Sequence, residues 1–142
     1  MKTRFKNLTV VCCLLLAIVI LIGCAEKIPA EGKWKDAKYL QDTEFGKGAK
    51  TVTVEVVVGE QSVEFEIHSD KTYLADALLE HKLIEGDDSE YGLYVKKVNG
   101  IFADYDVDKT YWGLYKNGEM MMVGVSSVEF SDGEHYELVL ES

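Results

Sequence analysis

Residues 51–58 carry valine at every second position (Val52, Val54, Val56, Val58). Gly59-Glu60 follows as a turn, and Val63, Phe65 and Ile67 resume the alternation. A period of two puts these side chains on one face of a strand and joins the two runs in a β-hairpin. The period then lengthens. Ser69 or Asp70 stands where a helix cap is needed, and Tyr73, Leu74, Ala77, Leu78 and Leu79 recur at helical spacing as far as about Lys82. This predicts roughly three helical turns with one apolar face lying across a sheet. Residues 84–91 (Ile-Glu-Gly-Asp-Asp-Ser-Glu-Tyr) read as an acidic loop. Strands are then predicted over 93–98 and 101–103 around Asn99-Gly100, and over 111–116 and 120–123 around Asn117-Gly118. A last strand, 136–140, follows Asp132-Gly133. These dipeptides tolerate the positive φ of tight turns. The order is that of an α+β, β-grasp-like domain over residues 51–142: an N-terminal hairpin, one helix, then a mixed or antiparallel sheet.

The N-terminus follows a different rule. Lys2, Arg4 and Lys6 precede a nearly unbroken apolar run over residues 8–22, which is shorter than the roughly 20 residues of a bilayer-spanning helix. The run ends in Leu21-Ile22-Gly23-Cys24, which resembles a bacterial lipobox. Residues 1–23 are therefore expected to be a lipoprotein signal peptide, and Cys24 the acylated first residue of the mature protein. Acyl chains at about 0.8 kcal/mol per buried methylene would hold it on the outer side of the bacterial cell membrane. Residues 24–50 show no sustained period and include the only proline, Pro29. They read as the lipidated cysteine plus a tether, with Trp34, Tyr39, Leu40 and Phe45 apolar enough for its second half to dock.

Charge and composition narrow the chemistry. The 142 residues hold 15 basic and 25 acidic side chains, a formal charge of −10 that deepens to −13 once Lys2, Arg4 and Lys6 leave. Such a chain is unsuited to nucleic acid and is repelled by anionic headgroups. Cys12 and Cys13 leave with the signal and Cys24 carries lipid, so no mature thiol remains for a disulfide, a metal or nucleophilic catalysis. There is no Gly-x-Ser-x-Gly, no phosphate-binding loop and no His-x-x-x-His, and the expectation is a protein that is not an enzyme. His68, His81 and His135 read as ordinary strand-end, helix-end and turn residues. Asp104, Asp106 and Asp108 alternate as in the first positions of a calcium loop. However, Lys109 stands where such a loop needs glycine, and a solvated face of an extended segment is the alternative.

An aromatic cluster remains. Tyr91, Tyr94, Phe102, Tyr105, Tyr111, Trp112 and Tyr115 fall close together beside Met120, Met121 and Met122. Alternation sends Tyr111 and Tyr115 to one face of a strand and Trp112 to the other. Two readings stand: core and cross-strand pairs, or a face that binds a planar ligand or a protein.

Several strings carry a resemblance. They are Gly46-Lys47-Gly48-Ala49, Ala75-Asp76-Ala77-Leu78-Leu79, Tyr91-Gly92-Leu93-Tyr94-Val95 and Val98-Asn99-Gly100-Ile101-Phe102-Ala103-Asp104-Tyr105. Further on come Tyr111-Trp112-Gly113-Leu114, Val123-Gly124-Val125 and Ser131-Asp132-Gly133-Glu134-His135-Tyr136-Glu137-Leu138-Val139-Leu140. In this order they resemble the C-terminal domain of the transcobalamin and intrinsic-factor carriers, and more closely the bacterial transcobalamin-like C-terminal domain family, common among small lipoproteins. The likeness covers roughly residues 46–141. It implies a β-grasp-like fold and a domain that closes over one face of cobalamin, with Tyr111, Trp112 and Leu114 near the ligand. Together with the aromatic cluster, it suggests Tyr91, Tyr94, Tyr111, Trp112, Leu114 and Met121 as ligand-binding residues and cobalamin or another corrinoid as a possible ligand. The alternatives are a module that binds a membrane or surface protein, and a divalent-metal lipoprotein using Asp104, Asp106 and Asp108.

Overall fold

The computed structural model describes residues 26–142. The predicted hairpin forms as β2 (Lys50–Val58) and β3 (Gln61–Ser69), in antiparallel register Val52↔Ile67, Val54↔Phe65 and Val56↔Val63. These six side chains are fully buried on one face. Gly59, at φ +63°, occupies the turn, where a side chain would be strained. The last strand, β9 (Glu134–Glu141), runs parallel to β2 with Val54↔Tyr136 and Val56↔Leu138. Its other edge pairs antiparallel with β7 (Tyr111–Lys116), which turns back through Asn117-Gly118 into β8 (Glu119–Met120). With β1 (Thr43–Gly46) parallel to β3, the six-stranded sheet has the order β1-β3-β2-β9-β7-β8. An N-terminal hairpin, a central C-terminal strand and a second hairpin make this a small α+β domain of β-grasp-like order, as the periodicity predicts.

The helix is shorter than predicted. It spans α1 (Leu74–Glu80) and buries Leu74, Ala75, Ala77 and Leu78 against the sheet. Residues 69–73 cannot join it because their polar groups are committed elsewhere. Ser69 closes β3, and its Oγ accepts from the Lys71 N–H at 3.1 Å. The Asp70 carboxylate accepts from the Ala49 N–H at 2.8 Å, and Tyr73 forms a bridge with Glu129. At the other end the Leu83 N–H donates to Leu78 O and the Lys82 N–H to Leu79 O, with Lys82 at φ +54°. That is a left-handed helix terminus built without glycine.

Two further predictions are corrected. Residues 84–89 are not a loop but β4 (Ile84–Ser89), paired antiparallel with β5 (Gly92–Val98), which in turn pairs with β6 (Ile101–Phe102). This three-stranded sheet overrides poor intrinsic strand propensity by tertiary pairing. Lys96 meets Asp87 at 2.6 Å, and Lys97 meets Glu85 at 3.5 Å across the strands. A Cβ on Gly86 would lie 2.0 Å from the Tyr94 carbonyl, so only glycine fits there. The strand after Asn117-Gly118 stops at Met120, and Met121 instead donates its N–H to Leu114 O. Asp132-Gly133 turns the chain but joins no hairpin. The Asp132 carboxylate accepts from Thr51 N and Gly133 N donates to Thr51 O, which seats β9 beside β2.

The largest correction concerns residues 24–50. From Ile28 onward this segment is part of the domain and not a tether, and Trp34, Tyr39, Leu40 and Phe45 dock on the core as their apolar character suggested. Trp34, on a 3-10 turn over Gly32–Asp36, is 3% exposed. Tyr39, Phe45 and Phe65 form an aromatic knot with centroids 5.2–5.8 Å apart. Asn99, fully buried, accepts from Tyr39 N through Oδ1 and donates to Tyr39 O through Nδ2, both at 2.9 Å. Periodicity cannot see this, because each contact joins an irregular segment to a distant element. The expected signal peptide, residues 1–23, and Cys24 lie outside the described residues.

Two predictions follow from the packing. Trp34→Ala should cost about 3–5 kcal/mol of unfolding free energy in chemical denaturation, whereas a docked tether would lose little. Glu134 accepts from Lys116 Nζ at 2.8 Å and from the Tyr136 hydroxyl at 2.5 Å, contacts that pull its carboxyl down to about 2 from an ordinary 4.5. A depressed carboxylate stabilises the fold above its unfolded value and loses that contribution as pH falls. Stability should therefore decline from pH 4.5 toward 2, and Glu134→Gln should show a shallower acid loss in pH-dependent melts.

Candidate functional site

A groove of about 240 Å³ opens between the two sheets. Its floor is β7, one wall is β5, and the other wall is the end of β8 with the segment following it. Leu93, Tyr94 and Val95 come from β5; Tyr111, Trp112 and Leu114 from β7; Met120, Met121, Val123 and Val125 from the far wall. Ser126 holds the two walls together: its Oγ accepts from the Leu93 N–H at 3.0 Å, so close that a Cβ on Gly92 would collide with it.

Five of the six residues suggested from sequence, Tyr94, Tyr111, Trp112, Leu114 and Met121, line this groove. Tyr91 does not; it is 84% exposed at the β4–β5 turn. Leu114 is buried and Tyr94 is exposed, so the groove grades from a dry floor to a wet rim. The alternation is as expected: Trp112 faces inward across from Leu140, while Tyr115 faces the other way and donates to Glu141 at 2.6 Å. That hydrogen bond raises the Tyr115 phenol to about 12. The Trp112 indole N–H is buried and finds no acceptor among the described residues. A donor left in that state costs about 1–3 kcal/mol until an acceptor reaches it. Phe102 and Tyr105 stand outside the groove, Tyr105 edge-on to Tyr111 at 6.5 Å.

Asp104, Asp106 and Asp108 do not form an extended run with one carboxylate face. They lie on a single helical turn, α2 (Tyr105–Asp108), where Asp104 is the N-cap and its side chain accepts from Asp106 N. Asp104 is buried and pairs with Lys96 at 3.1 Å. Asp108 accepts from Asp104 N, Thr110 N and Thr110 Oγ1 and pairs with Lys33 at 3.3 Å. The Thr110 hydroxyl is the main reason its carboxyl lies at about 2. Asp106 and Asp108 are both exposed, and no side-chain partner engages the Asp106 carboxylate among the described residues. Backbone, threonine and lysine contacts engage the Asp104 and Asp108 oxygens, and among the described residues the three carboxylates do not form a group with ligand atoms within 4.8 Å of one another.

One of the histidines differs from the sequence reading, whereas His68 stands at the end of β3 as expected. His135 lies within β9 beside Glu55 at 3.6 Å, not on a turn. His68 has Nε2 2.9 Å from Glu44 and 3.3 Å from Glu66. The signal available in sequence was the Glu66-x-His68 spacing on one strand face; Glu44 arrives from β1, which the sequence did not predict.

Fold and groove together define a small α+β domain of β-grasp-like topology with an aromatic cleft beside its second sheet. The model of the family described as a domain of unknown function, DUF4430, matches residues 71–141, half of the chain, and the chain belongs to that family. Among solved structures it is similar to a candidate metal-binding protein of Ruminococcus gnavus ATCC 29149, with 33% identity and a TM-score of 0.62 over 66% of this chain and 97% of that one. It is also similar to haptocorrin in complex with Cbi, with 19% identity and a TM-score of 0.56 over 69% of this chain and 26% of that one. The second likeness is one of fold, and it places the resemblance to the transcobalamin carriers at that level. No curated protein matches the chain.

If the aspartates serve the fold, Asp104→Ala should lower stability by about 1–2 kcal/mol through the lost cap and ion pair. Calcium should leave the melting temperature of both proteins unmoved. A calcium-dependent rise that disappears in Asp104→Ala would restore the calcium-loop reading.

Proposed function

We propose that this protein is a non-enzymatic binding lipoprotein, anchored through Cys24 outside the bacterial cell membrane. Its groove contacts one face or edge of a planar small molecule of the corrinoid class. The observation that carries the proposal is that Tyr94, Tyr111, Trp112, Leu114 and Met121, drawn from separate elements, line one cleft. Rigid aromatic walls suit a flat ligand, and methionine adapts to its edge. The unpartnered Trp112 N–H offers one directional contact to an acceptor. A likeness of fold to haptocorrin in complex with Cbi supports the ligand class. At about 240 Å³ the cleft falls below the roughly 300–1,000 Å³ of sites that engulf small molecules, so a second surface must cover the rest of a corrinoid.

The metal-binding description of the Ruminococcus gnavus relative is not carried to Asp104, Asp106 and Asp108, because Asp104 and Asp108 spend their oxygens on the helical turn and on lysines and leave Asp106 by itself. A second reading is a module that binds a membrane or transporter protein. It is favoured by Tyr91 and Met122, 84% and 94% exposed, which project beyond the groove.

The test is calorimetric titration of the full-length protein in detergent with cobalamin, alongside tryptophan fluorescence in a Trp34→Phe background. Saturable binding with quenching is expected. Trp112→Ala should abolish binding, and Tyr94→Ala, at the exposed rim, should weaken it with the melting temperature unchanged. Wild-type affinity in both variants would sink the groove. With no binding at all, photo-cross-linking from positions 91 and 122 should instead recover a membrane protein partner, and recovery of none would remove the second reading too.

A further inference from the structure

The sheet face turned away from α1 carries a second constellation. Glu44 of β1 stands in register opposite Glu66 of β3, and His68 stands opposite Thr51 of β2. One ligand atom from each of Glu44, Glu66 and His68 falls within 4.8 Å of the others. Like charges opposed across strands destabilise a sheet unless something positive lies between them. Among the described residues no lysine or arginine nitrogen comes within 4.0 Å of either carboxylate, and Asp42 and Glu64 line the same shallow depression.

The imidazole is set for the task. Its Nδ1 lies 3.0 Å from Thr51 Oγ1. With Nδ1–H donating to that hydroxyl, Nε2 faces Glu44 at 2.9 Å and Glu66 at 3.3 Å; a proton on Nε2 makes the hydrogen bond to Glu44 without metal, and a bound cation would take that proton's place. Metal-bound histidines are held in this way, through an outer hydrogen bond that selects the tautomer and fixes the ring. The His68 side chain is only 24% exposed, whereas Glu44 and Glu66 are 71% and 54% exposed and open the position to solvent.

We propose that Glu44, Glu66 and His68 bind a divalent transition-metal ion of the zinc class, with water completing its coordination. One imidazole and two carboxylates suit such an ion better than calcium or magnesium, which prefer all-oxygen shells. Three protein ligands leave a fourth tetrahedral position free. The ion would also staple the short parallel strand β1 to β3, and with it the segment leading from the N-terminus. This site is on the sheet face opposite the groove and stands whether or not the groove takes a corrinoid.

The experiment is a Zn²⁺ titration of the full-length protein in detergent, read from the imidazole NMR signals of His68, assigned with His68→Gln. His81 and His135 serve as internal references, and zinc held by Cys12, Cys13 or Cys24 leaves these signals unmoved. The expected result is a saturable shift of His68 alone, complete at one equivalent, with a rise in melting temperature. The double variant E44Q/E66Q should weaken binding at least about tenfold while its metal-free melting temperature does not fall below the wild-type value, since the opposed charges are removed. His68 signals unmoved at millimolar Zn²⁺, or wild-type affinity in the double variant, would overturn the site.

Discussion

The parallel pairing of β2 with β9 is the constraint on which the rest of the domain depends. It brings the last strand of the chain between the first hairpin and the β7–β8 hairpin, so neither hairpin touches the other until the C-terminus arrives. Val54, Val56, Tyr136 and Leu138 meet across this seam and are almost wholly buried. A parallel seam between elements far apart in sequence carries a high loop-closure cost, which only the completed core repays. The Asp132-Gly133 turn, clasped to Thr51, sets its register.

Two different surfaces result from this one sheet. Toward α1 and the second sheet, apolar side chains fill the interior and leave the aromatic groove where β5 and β7 approach without pairing. The opposite face is made of Glu44, Glu55, Glu64, Glu66 and Glu137 with Thr51, Thr53 and His68. The period of two in each strand separates them: a dry cleft on one side and an anionic face on the other. The planar ligand and the metal ion, as proposed, would thus occupy separate places on a single small domain.

The likeness to haptocorrin covers only 26% of that chain, whereas the Ruminococcus gnavus protein is matched over 97% of its length. The fold is therefore found both as a nearly whole small protein and as one part of a larger one. A shallow cleft on a compact domain suits either setting, because the domain offers one wall of a site and a partner can supply the other.

By itself the sequence determined what is local. Alternating valines specified the first hairpin, Asn99-Gly100 and Asn117-Gly118 specified two turns, and the spacing of Leu74, Ala77 and Leu78 specified a helix and its buried face. The aromatic string around Tyr111 and Trp112 pointed to the groove because strand alternation already divides inward from outward side chains. Tertiary structure decided whatever depends on a distant partner. Ile84–Ser89 became a strand only because β5 lies beside it, and Trp34 and Phe45 joined the core through Asn99, Phe65 and a parallel edge that leaves no periodic trace. Asp104 turned inward to cap a helical turn, whereas Glu44 reached His68 because β1 closes the edge of the sheet. Local periodicity encodes which face of an element is apolar; which elements then meet is settled by burial and pairing summed over the whole chain.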